Sequence, residues 1–319
     1  MNFWNRTFDK FNAVLLPLMI LTGFLFHRTL GDAAGIVPLL FMLLTLLTSL
    51  GLKAQDILDV GRNYRPTLIA LTASHILYPA VVFAMMKAFG LDGSIEQGVI
   101  LSQIMPAGVT AVAWAGLARG HIGTVVSMIT ISTAIAPAAV PLTLILYYGE
   151  SIGFDTAEIA FGLAVYVLVP CALGMLFGHL VPQRGERAKS VTSLVSKALL
   201  LIIVLLNAAS VAGPAMRGGG QIGRAAMLMG VLIVGGYAIN WGVLYVLKLQ
   251  RPLEIAYTFS SSVRNYTAAL VLAHLYLPPD AAVPIMAAVL LQHPAALLAN
   301  VLFSLRFRNR RMQPSIAER

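Results

Sequence analysis

The chain has 319 residues, of which 58% are hydrophobic and 11% charged, and its mean hydropathy is +0.82. A soluble domain has about 25% charged residues, so this composition excludes an ordinary soluble protein and predicts an integral membrane protein. The formal net charge of +9 would suit a nucleic-acid-binding arm, but in a membrane protein basic residues first indicate orientation. The single cysteine, Cys171, lies in an apolar run, which excludes disulfides and cysteine-based metal sites within the chain.

Apolar runs follow one another along the whole chain, each of about 20 residues, which is the length that an α-helix needs to cross a bilayer. Short charged or Gly- and Pro-rich breaks separate them and leave no room for a soluble domain. The sequence therefore predicts an all-α membrane protein with ten spans: 11–29, 35–52, 66–88, 97–117, 122–148, 157–181, 193–214, 224–247, 254–277 and 281–305.

The distribution of basic residues predicts that both termini are cytoplasmic. With that orientation most of the 22 Lys and Arg residues lie on the cytoplasmic side, and the opposite side receives only Arg28, Lys87, Arg217 and Arg224. The basic tail at 306–319 is expected to contact anionic lipid rather than nucleic acid.

Ten spans divide into two sets of five, and an offset of 157 residues (265 minus 108) aligns the halves. Under this offset Gly108 of GVTA meets Asn265 of NYTA, and Pro137 of APAA meets Pro294 of HPAA. An odd number of spans per half gives the second half the opposite orientation in the membrane, as in many secondary transporters. The sequence thus predicts two inverted five-helix repeats.

The fourth and ninth spans are predicted to be interrupted at corresponding points. Pro106 and Gly108 interrupt the fourth span, since proline removes a backbone donor, and Ser260 to Asn265 occupy the same point of the ninth. Interrupted helices at matching positions of two halves favour a binding site near the membrane midplane, where freed carbonyls and half-helix ends hold ions and substrates. The alternative is a proline kink together with a polar helix face that packs against its neighbours.

Four segments resemble the bacterial members of the bile acid sodium symporter family: ILSQIMPAGVTAVAWAGLARGHIGTVV, ISTAIAPAAVPL, TFSSSVRNYTAALVLAH and LLQHPAALLAN. The resemblance implies one membrane domain, in which a panel (11–52 and 157–214) lies beside a core (66–148 and 224–305) that contains the crossing, broken fourth and ninth helices. It also implies a multi-pass inner-membrane transporter of organic anions such as bile acids, sulfated steroids, pantoate or keto acids, usually coupled to sodium.

The same resemblance indicates that the sodium sites are changed in this chain. Where sodium-coupled relatives have a glutamate and, four residues later, a glutamine in the ninth helix, this chain has Ser260 and Arg264. The other ligand positions of the family correspond here to Ser74, Ala111, Val112, Val125 and Ile129. Sodium needs several oxygen ligands to replace its hydration shell, so we predict a sodium-independent transporter without a cofactor. A conventional sodium-coupled symporter is the alternative.

Arg264 is a basic residue in the middle of a predicted span, where a charge costs about 2.5–3.5 kcal/mol on insertion scales. None of the 13 acidic residues falls in the middle of a span. The expected partners of the guanidinium are therefore the carbonyl ends of the interrupted helices and an anionic substrate. We predict that Arg264 replaces sodium, holds the crossing together and attracts a small organic anion; a static tether without substrate contact is the alternative.

The other candidate residues stand beside the interruptions or in neighbouring spans. The predicted substrate contacts are Arg264, Asn265, Thr110, His293, Ser261 and Thr267. The residues predicted to serve coupling and the crossing are Arg264, Ser260, Gln103, Ser74, His75, Pro106 and Gly108. If protons drive transport, His75 or His293 has to carry them, because no acid is available at midspan; for His293, packing is the alternative role.

Catalysis is not expected, because the chain has no GxSxG or HExxH motif and no aspartate at midspan. A passive anion channel is a further alternative, which single-channel conductance would distinguish from a carrier. The expected partners are a small organic anion and the lipid bilayer.

Overall fold

The structure, a computed structural model, describes residues 15–52, 64–91, 93–149, 155–181, 185–217 and 219–310. Regular secondary structure within these ranges is helical throughout. Its twelve helices are, in chain order, α1 (Leu15–Leu25), α2 (His27–Ser49), α3 (Tyr64–Phe89), α4 (Gly93–Ile104), α5 (Ala111–Leu117), α6 (Ile122–Tyr148), α7 (Thr156–Leu180), α8 (Glu186–Arg217), α9 (Gly219–Tyr245), α10 (Arg251–Ser262), α11 (Tyr266–Tyr276) and α12 (Ala282–Arg310).

Seven of the described helices are long and apolar enough to cross a membrane: α2, α3, α6, α7, α8, α9 and α12. Two others, α1 and α11, are shorter apolar helices. Large apolar side chains such as Leu21, Leu142 and Val246 are exposed on the outside of the molecule, which suits lipid rather than water. The protein is therefore an all-helical multi-pass membrane protein, as its composition predicted.

The helices end at both predicted interruptions. Residues 105–110 separate α4 from α5, and residues 263–265 separate α10 from α11. The predicted interruption of the ninth span began too early, because Ser260 to Ser262 are helical. The Ser260 hydroxyl donates to the carbonyl oxygen of Ala256 at 2.8 Å, so it is satisfied within its own helix and does not break it.

The last helix extends into the region predicted as a basic tail, 306–319. Arg306 pairs with Glu254, and its guanidinium lies 5.3 Å from the ring centroid of Trp241 and 4.5 Å from that of Tyr245. These contacts give the first basic residue of the region a structural role within the protein. Residues 311–319, and residues 11–14 of the first predicted span, lie outside the described residues.

Two helices contain a π-helical turn followed closely by a proline. In α3 the turn covers Ala73–Leu77 and precedes Pro79, and in α7 it covers Ala164–Leu168 and precedes Pro170. A π turn inside an α-helix often marks a functional site. The turn in α3 contains two candidate residues, Ser74 and His75.

Small residues allow neighbouring helices to approach closely. A Cβ added to Gly98 of α4 would lie 1.9 Å from the carbonyl oxygen of Ala281, just before α12. A Cβ added to Gly174 of α7 would lie 2.4 Å from the carbonyl oxygen of Leu46 in α2. Such contacts are typical of helix interfaces in membranes, where apolar area alone does not drive association. They bring α2 and α7 together and attach α4 to the beginning of α12.

Candidate functional site

The two interruptions contact each other through their main chains. Ala107 and Arg264 form an antiparallel bridge. Main-chain hydrogen bonds of 2.9 Å flank this bridge, from the amide nitrogen of Gly108 to the carbonyl of Val263 and from the amide nitrogen of Asn265 to the carbonyl of Pro106. Buried main-chain groups need partners, and these contacts supply them where the helices do not.

Side chains of α6 and α12 bind the two bridge residues. The amide nitrogen of Ala107 donates to Ser132 Oγ of α6 at 3.0 Å, and that of Arg264 donates to Gln292 Oε1 of α12 at 2.9 Å. His75 Nε2 lies 3.1 Å from the same Ser132 Oγ. His75 therefore supports the first interruption through a hydrogen bond to a serine.

Gly108 stands at a close approach of the two interruptions. A Cβ at this position would lie 2.7 Å from the carbonyl oxygen of Arg264 and 3.0 Å from its carbonyl carbon. Both atoms belong to the main chain of the bridge, so they have little room to move. The contact requires a residue without a side chain.

The side chain of Arg264 is only 3% exposed and is held by main-chain carbonyls. Its Nη1 donates to the carbonyl of Met105 at 3.2 Å, and its Nη2 donates to that of Ser74 at 2.8 Å. The guanidinium carbon lies 5.2 Å from the ring centroid of Tyr78, and an aromatic face attracts a cation. Within the described part of the chain, Nε is buried without a hydrogen-bond partner. The guanidinium thus joins the π turn of α3 to the first interruption.

Gln103 is linked to the guanidinium indirectly. Its Oε1 accepts a hydrogen bond of 2.5 Å from the hydroxyl of Tyr78, the residue whose ring lies beside the guanidinium. Its Nε2 donates to Ser102 Oγ at 3.0 Å and to the hydroxyl of Tyr266 at 3.3 Å. Gln103 therefore orients two tyrosines, one of which contacts the guanidinium of Arg264.

A cavity of about 190 Å³ lies against the interruptions. Five of the six predicted substrate contacts line it: Thr110, Arg264, Asn265, Thr267 and His293. Ser261 is not among the lining residues, and its buried hydroxyl has no partner in the described residues. Asn265 Oδ1 accepts from the amide nitrogen of Ala268 at 3.1 Å, which caps the first turn of α11. The predicted substrate contacts, rather than the residues predicted for coupling, are thus gathered mainly around one cavity at the start of α11.

The other lining residues come mainly from α2, α7 and α8 and include a second basic side chain, Lys197. Most of this lining is apolar, as with Phe41 and Leu44 of α2 and Leu200 and Val204 of α8. No Asp or Glu is present among the described lining residues. The lining therefore combines apolar walls with two basic residues, Arg264 and Lys197.

Sequence reasoning missed four residues of this site: Tyr78, Ser132, Gln292 and Lys197. Gln292 had a usable signal, because it is a polar residue in an apolar run directly before His293. Lys197 was assigned to the cytoplasmic side by the charge rule, although it falls inside the predicted seventh span. An isolated tyrosine or serine in a span is common in helix packing, so Tyr78 and Ser132 carried no signal.

Several known proteins are similar to this chain, and those whose names state a function are transporters. Residues 36–215, more than half of the chain, match the Sodium Bile acid symporter family. The uncharacterized protein YbaS of Bacillus subtilis (strain 168) is 28% identical over 287 residues, which are 89% of this chain and 94% of that protein. The uncharacterized sodium-dependent transporter YocS of the same organism is 24% identical over 286 residues, 89% of this chain and 86% of YocS. The ileal sodium/bile acid cotransporter of Oryctolagus cuniculus is 25% identical over 175 residues, 53% of this chain and 50% of the cotransporter.

Proposed function

Because the chain belongs to the Sodium Bile acid symporter family, and is therefore a transporter rather than an enzyme, we propose that it carries small organic anions by alternating access without sodium. The carboxylate, sulfate or sulfonate group of the anion is attracted by Arg264. The observation that carries this proposal is the buried guanidinium, which is bound to two main-chain carbonyls beside a cavity that no described acid lines.

The hydrogen bonds between the interruptions support two inverted repeats. The offset of 157 residues relates the two donors, Gly108 and Asn265, and also the two acceptors, Pro106 and Val263. The residues of the antiparallel bridge are likewise 157 positions apart, since 264 minus 107 is 157. An approximate two-fold axis through the bridge would exchange these pairs, as in transporters built from inverted repeats. In this proposal the chain has ten spans, and α4–α5 crosses α10–α11.

The composition of the cavity walls supports alternating access between two bodies. The lining residues of α2, α7 and α8 belong to the proposed panel, 11–52 and 157–214, and the interruptions belong to the proposed core, 66–148 and 224–305. Movement of the core against the panel would open this cavity to each side in turn. Both termini lie in the cytoplasm in this proposal, in accord with the distribution of basic residues.

Sodium independence is supported by the groups at the positions that correspond to sodium ligands in the family. Val125 and Ile129 are buried and supply no side-chain oxygen, and the hydroxyl of Ser260 is bound within its own helix. The carbonyl of Ser74 binds the guanidinium of Arg264. Arginine keeps its charge at any accessible pH and donates through a planar fork, so it can act as a permanent cation at this place.

The N-terminus of α11 supports an anionic substrate. Asn265 and Thr267, at the beginning of this helix, line the cavity, and a helix N-terminus favours negative charge. The buried guanidinium of Arg264 directly precedes this helix start and adds a full positive charge. An acidic group placed here would compensate a cation that no described acid compensates.

The central test is the exchange of sodium for another cation. The probe anion is the compound that most stabilises the purified protein in a thermal-shift screen of carboxylates, sulfates and sulfonates. Its uptake into proteoliposomes is expected to change by less than about twofold, or roughly 0.4 kcal/mol, when sodium is replaced by potassium or choline. YocS, whose name states sodium dependence, is the control protein. A steep dependence of uptake on sodium would instead establish a conventional sodium-coupled symporter, the function that the name of YocS favours.

Cys171 provides a second test, because it is the only cysteine of the chain and lines the same cavity. An anionic methanethiosulfonate reagent is expected to modify it at least about tenfold faster than a cationic one, after correction for their rates with a small free thiol, because fixed cations concentrate anions. Mass spectrometry of the intact protein measures both rates, and Cys171→Ala gives the background. Equal corrected rates, or a faster cationic reagent, would contradict a cationic cavity.

A further inference from the structure

We propose that a groove between α3 and α9 binds an anionic phospholipid, with one acyl chain in the groove and the headgroup at Arg65 and Lys248. The groove has a volume of about 230 Å³, and none of its lining residues lines the cavity beside the interruptions. One lining residue belongs to α9 and five belong to α3: Val243, Leu68, Ile69, Thr72, Ala73 and Leu77. The inference goes beyond the proposed function, because it concerns a partner other than the transported anion.

The π turn of α3 gives the groove its length. Leu68 and Thr72 are four residues apart and share one face of the helix, whereas Leu77 follows five residues later and would leave that face in a regular α-helix. The main-chain N–H of Tyr78 donates to the carbonyl of Ala73, five residues earlier, so the turn takes up one extra residue. This keeps Leu77 on the groove. The stretch from Leu68 to Leu77 covers about 13 Å at 1.5 Å per residue, close to half of a hydrocarbon core of about 30 Å. The groove therefore matches the acyl layer of one leaflet.

The groove is open to the surroundings of the protein. Leu68 is 57% exposed and Leu77 is 43% exposed, and the lining is apolar apart from Thr72. Both helices that form the groove are long and apolar enough to cross a membrane. An open apolar surface on such helices is in contact with lipid, so a hydrocarbon chain is the occupant that fits it.

Two basic residues lie at the same end of the groove. Arg65 stands one helical turn before the first lining residue of α3, and Lys248 stands just after the end of α9. The hydroxyl of Tyr78 donates to the carbonyl of Leu232, whereas the earlier part of α3 lies beside Val243. The two helices are therefore antiparallel, and the beginning of α3 meets the end of α9. Arg65 and Lys248 thus flank one mouth of the groove.

Two tyrosines place this mouth at the depth of the lipid headgroups. Tyr64 and Tyr245 are each 54% exposed, and tyrosine is enriched at membrane–water interfaces. Arg65 Nε donates to the hydroxyl of Tyr64 at 3.1 Å, which holds the guanidinium at this level. Arg65 and Lys248 are exposed, and neither forms an ion pair with a described residue. Exposed basic side chains between membrane helices attract anionic headgroups, and in the proposed orientation this end faces the anionic cytoplasmic leaflet.

The groove and the candidate site share the π turn of α3. Ala73 lines the groove, while the carbonyl of the next residue, Ser74, binds the guanidinium of Arg264 at 2.8 Å. His75 of the same turn lies 3.1 Å from Ser132 Oγ. An acyl chain in the groove would therefore pack against the outer side of the turn that holds Arg264 on its inner side. Bound lipid is expected to stabilise this turn and to raise the midpoint of thermal unfolding.

The test measures lipid binding to the full chain by native mass spectrometry. Phosphatidylglycerol and phosphatidylcholine with identical acyl chains are the two probes, and phosphatidylglycerol is expected to bind at least about tenfold more tightly. Arg65→Gln combined with Lys248→Gln should reduce this preference to less than about twofold. The matched control combines Lys87→Gln with Arg224→Gln, which removes two exposed charges at the opposite ends of the same helices and should leave the preference unchanged.

A photoreactive lipid locates the acyl chain. Phosphatidylglycerol with a diazirine in the middle of one chain is expected to label the stretch from Leu68 to Leu77 or Val243, and unlabelled phosphatidylglycerol should compete for this labelling. Labelling spread evenly over exposed apolar residues such as Leu142, or a lipid preference that survives loss of Arg65 and Lys248, would overturn the inference. A dimer of the chain that binds no lipid would assign the groove to a second copy and overturn it likewise.

Discussion

Replacement of Arg264 by glutamine is expected to reduce anion binding and uptake by about 100-fold, or roughly 2.7 kcal/mol. Glutamine cannot reach both carbonyls that the guanidinium binds, those of Met105 and Ser74, and a buried carbonyl left without a partner costs about 1–3 kcal/mol. The substitution also removes the buried charge at the start of α11. Uptake into proteoliposomes, anion affinity and the midpoint of thermal unfolding should therefore all decrease.

Two control variants show which property of Arg264 matters. Arg264→Lys keeps a positive charge but loses the planar fork, so an intermediate loss is expected. Arg224→Gln removes an exposed arginine from α9 and should leave anion binding unchanged. A folded Arg264→Gln protein with wild-type anion affinity would assign the guanidinium a purely tethering role and contradict its part in anion attraction.

The membrane class and the positions of the long helices could be read from the sequence, because hydrophobicity alone determines which segments cross a bilayer. The span predicted at 66–88 is the helix Tyr64–Phe89. The start of α8 was missed, since its first turns, from Glu186, are polar and a hydropathy pattern detects only the apolar part of a helix. The place of Lys197 in the cavity wall was not predicted for a different reason, because the charge rule treats a basic residue near the end of a span as exposed to water.

The two interruptions differed in how well the sequence located them. Pro106 acts on the main chain directly, by removing a donor, and the structure has its non-helical segment around it. The ninth span has no proline at the corresponding place, and its serines indicated a longer break than the structure contains. A serine can satisfy its hydroxyl on the preceding turn of its own helix, as Ser260 does, so a run of serines does not specify whether a helix continues.

The partners of Arg264 could not be predicted in detail for a physical reason. A buried charge without an acid in the sequence requires other compensation, and this argument identified main-chain carbonyls as a class. Every residue has a carbonyl, however, so no pattern of side chains indicates that those of Met105 and Ser74 are the ones that bind. The aromatic contact with Tyr78 could not be predicted from the sequence either, because it depends on how α3 packs against the interruptions.

Gly108→Ala is expected to have the second large effect, through the main chain rather than through charge. The new Cβ would lie 2.7 Å from the carbonyl oxygen of Arg264, and forced overpacking costs about 1–3 kcal/mol. Relief of this contact would push the bridge between Ala107 and Arg264 apart and move the start of α11. Uptake is expected to fall at least about tenfold, which equals roughly 1.4 kcal/mol, and the midpoint of thermal unfolding should fall with it.

Gly116→Ala in α5 is the matched control for this substitution. A Cβ at Gly116 would meet only Ile122 Cδ1, at 3.5 Å, which is an ordinary contact. The same chemical change about two helical turns from the bridge should therefore leave uptake near the wild-type value, and alanine is the better helix former. Wild-type uptake by Gly108→Ala would mean that the two interruptions can separate without loss of function, and the bridge would then not be the fixed point around which the site is built.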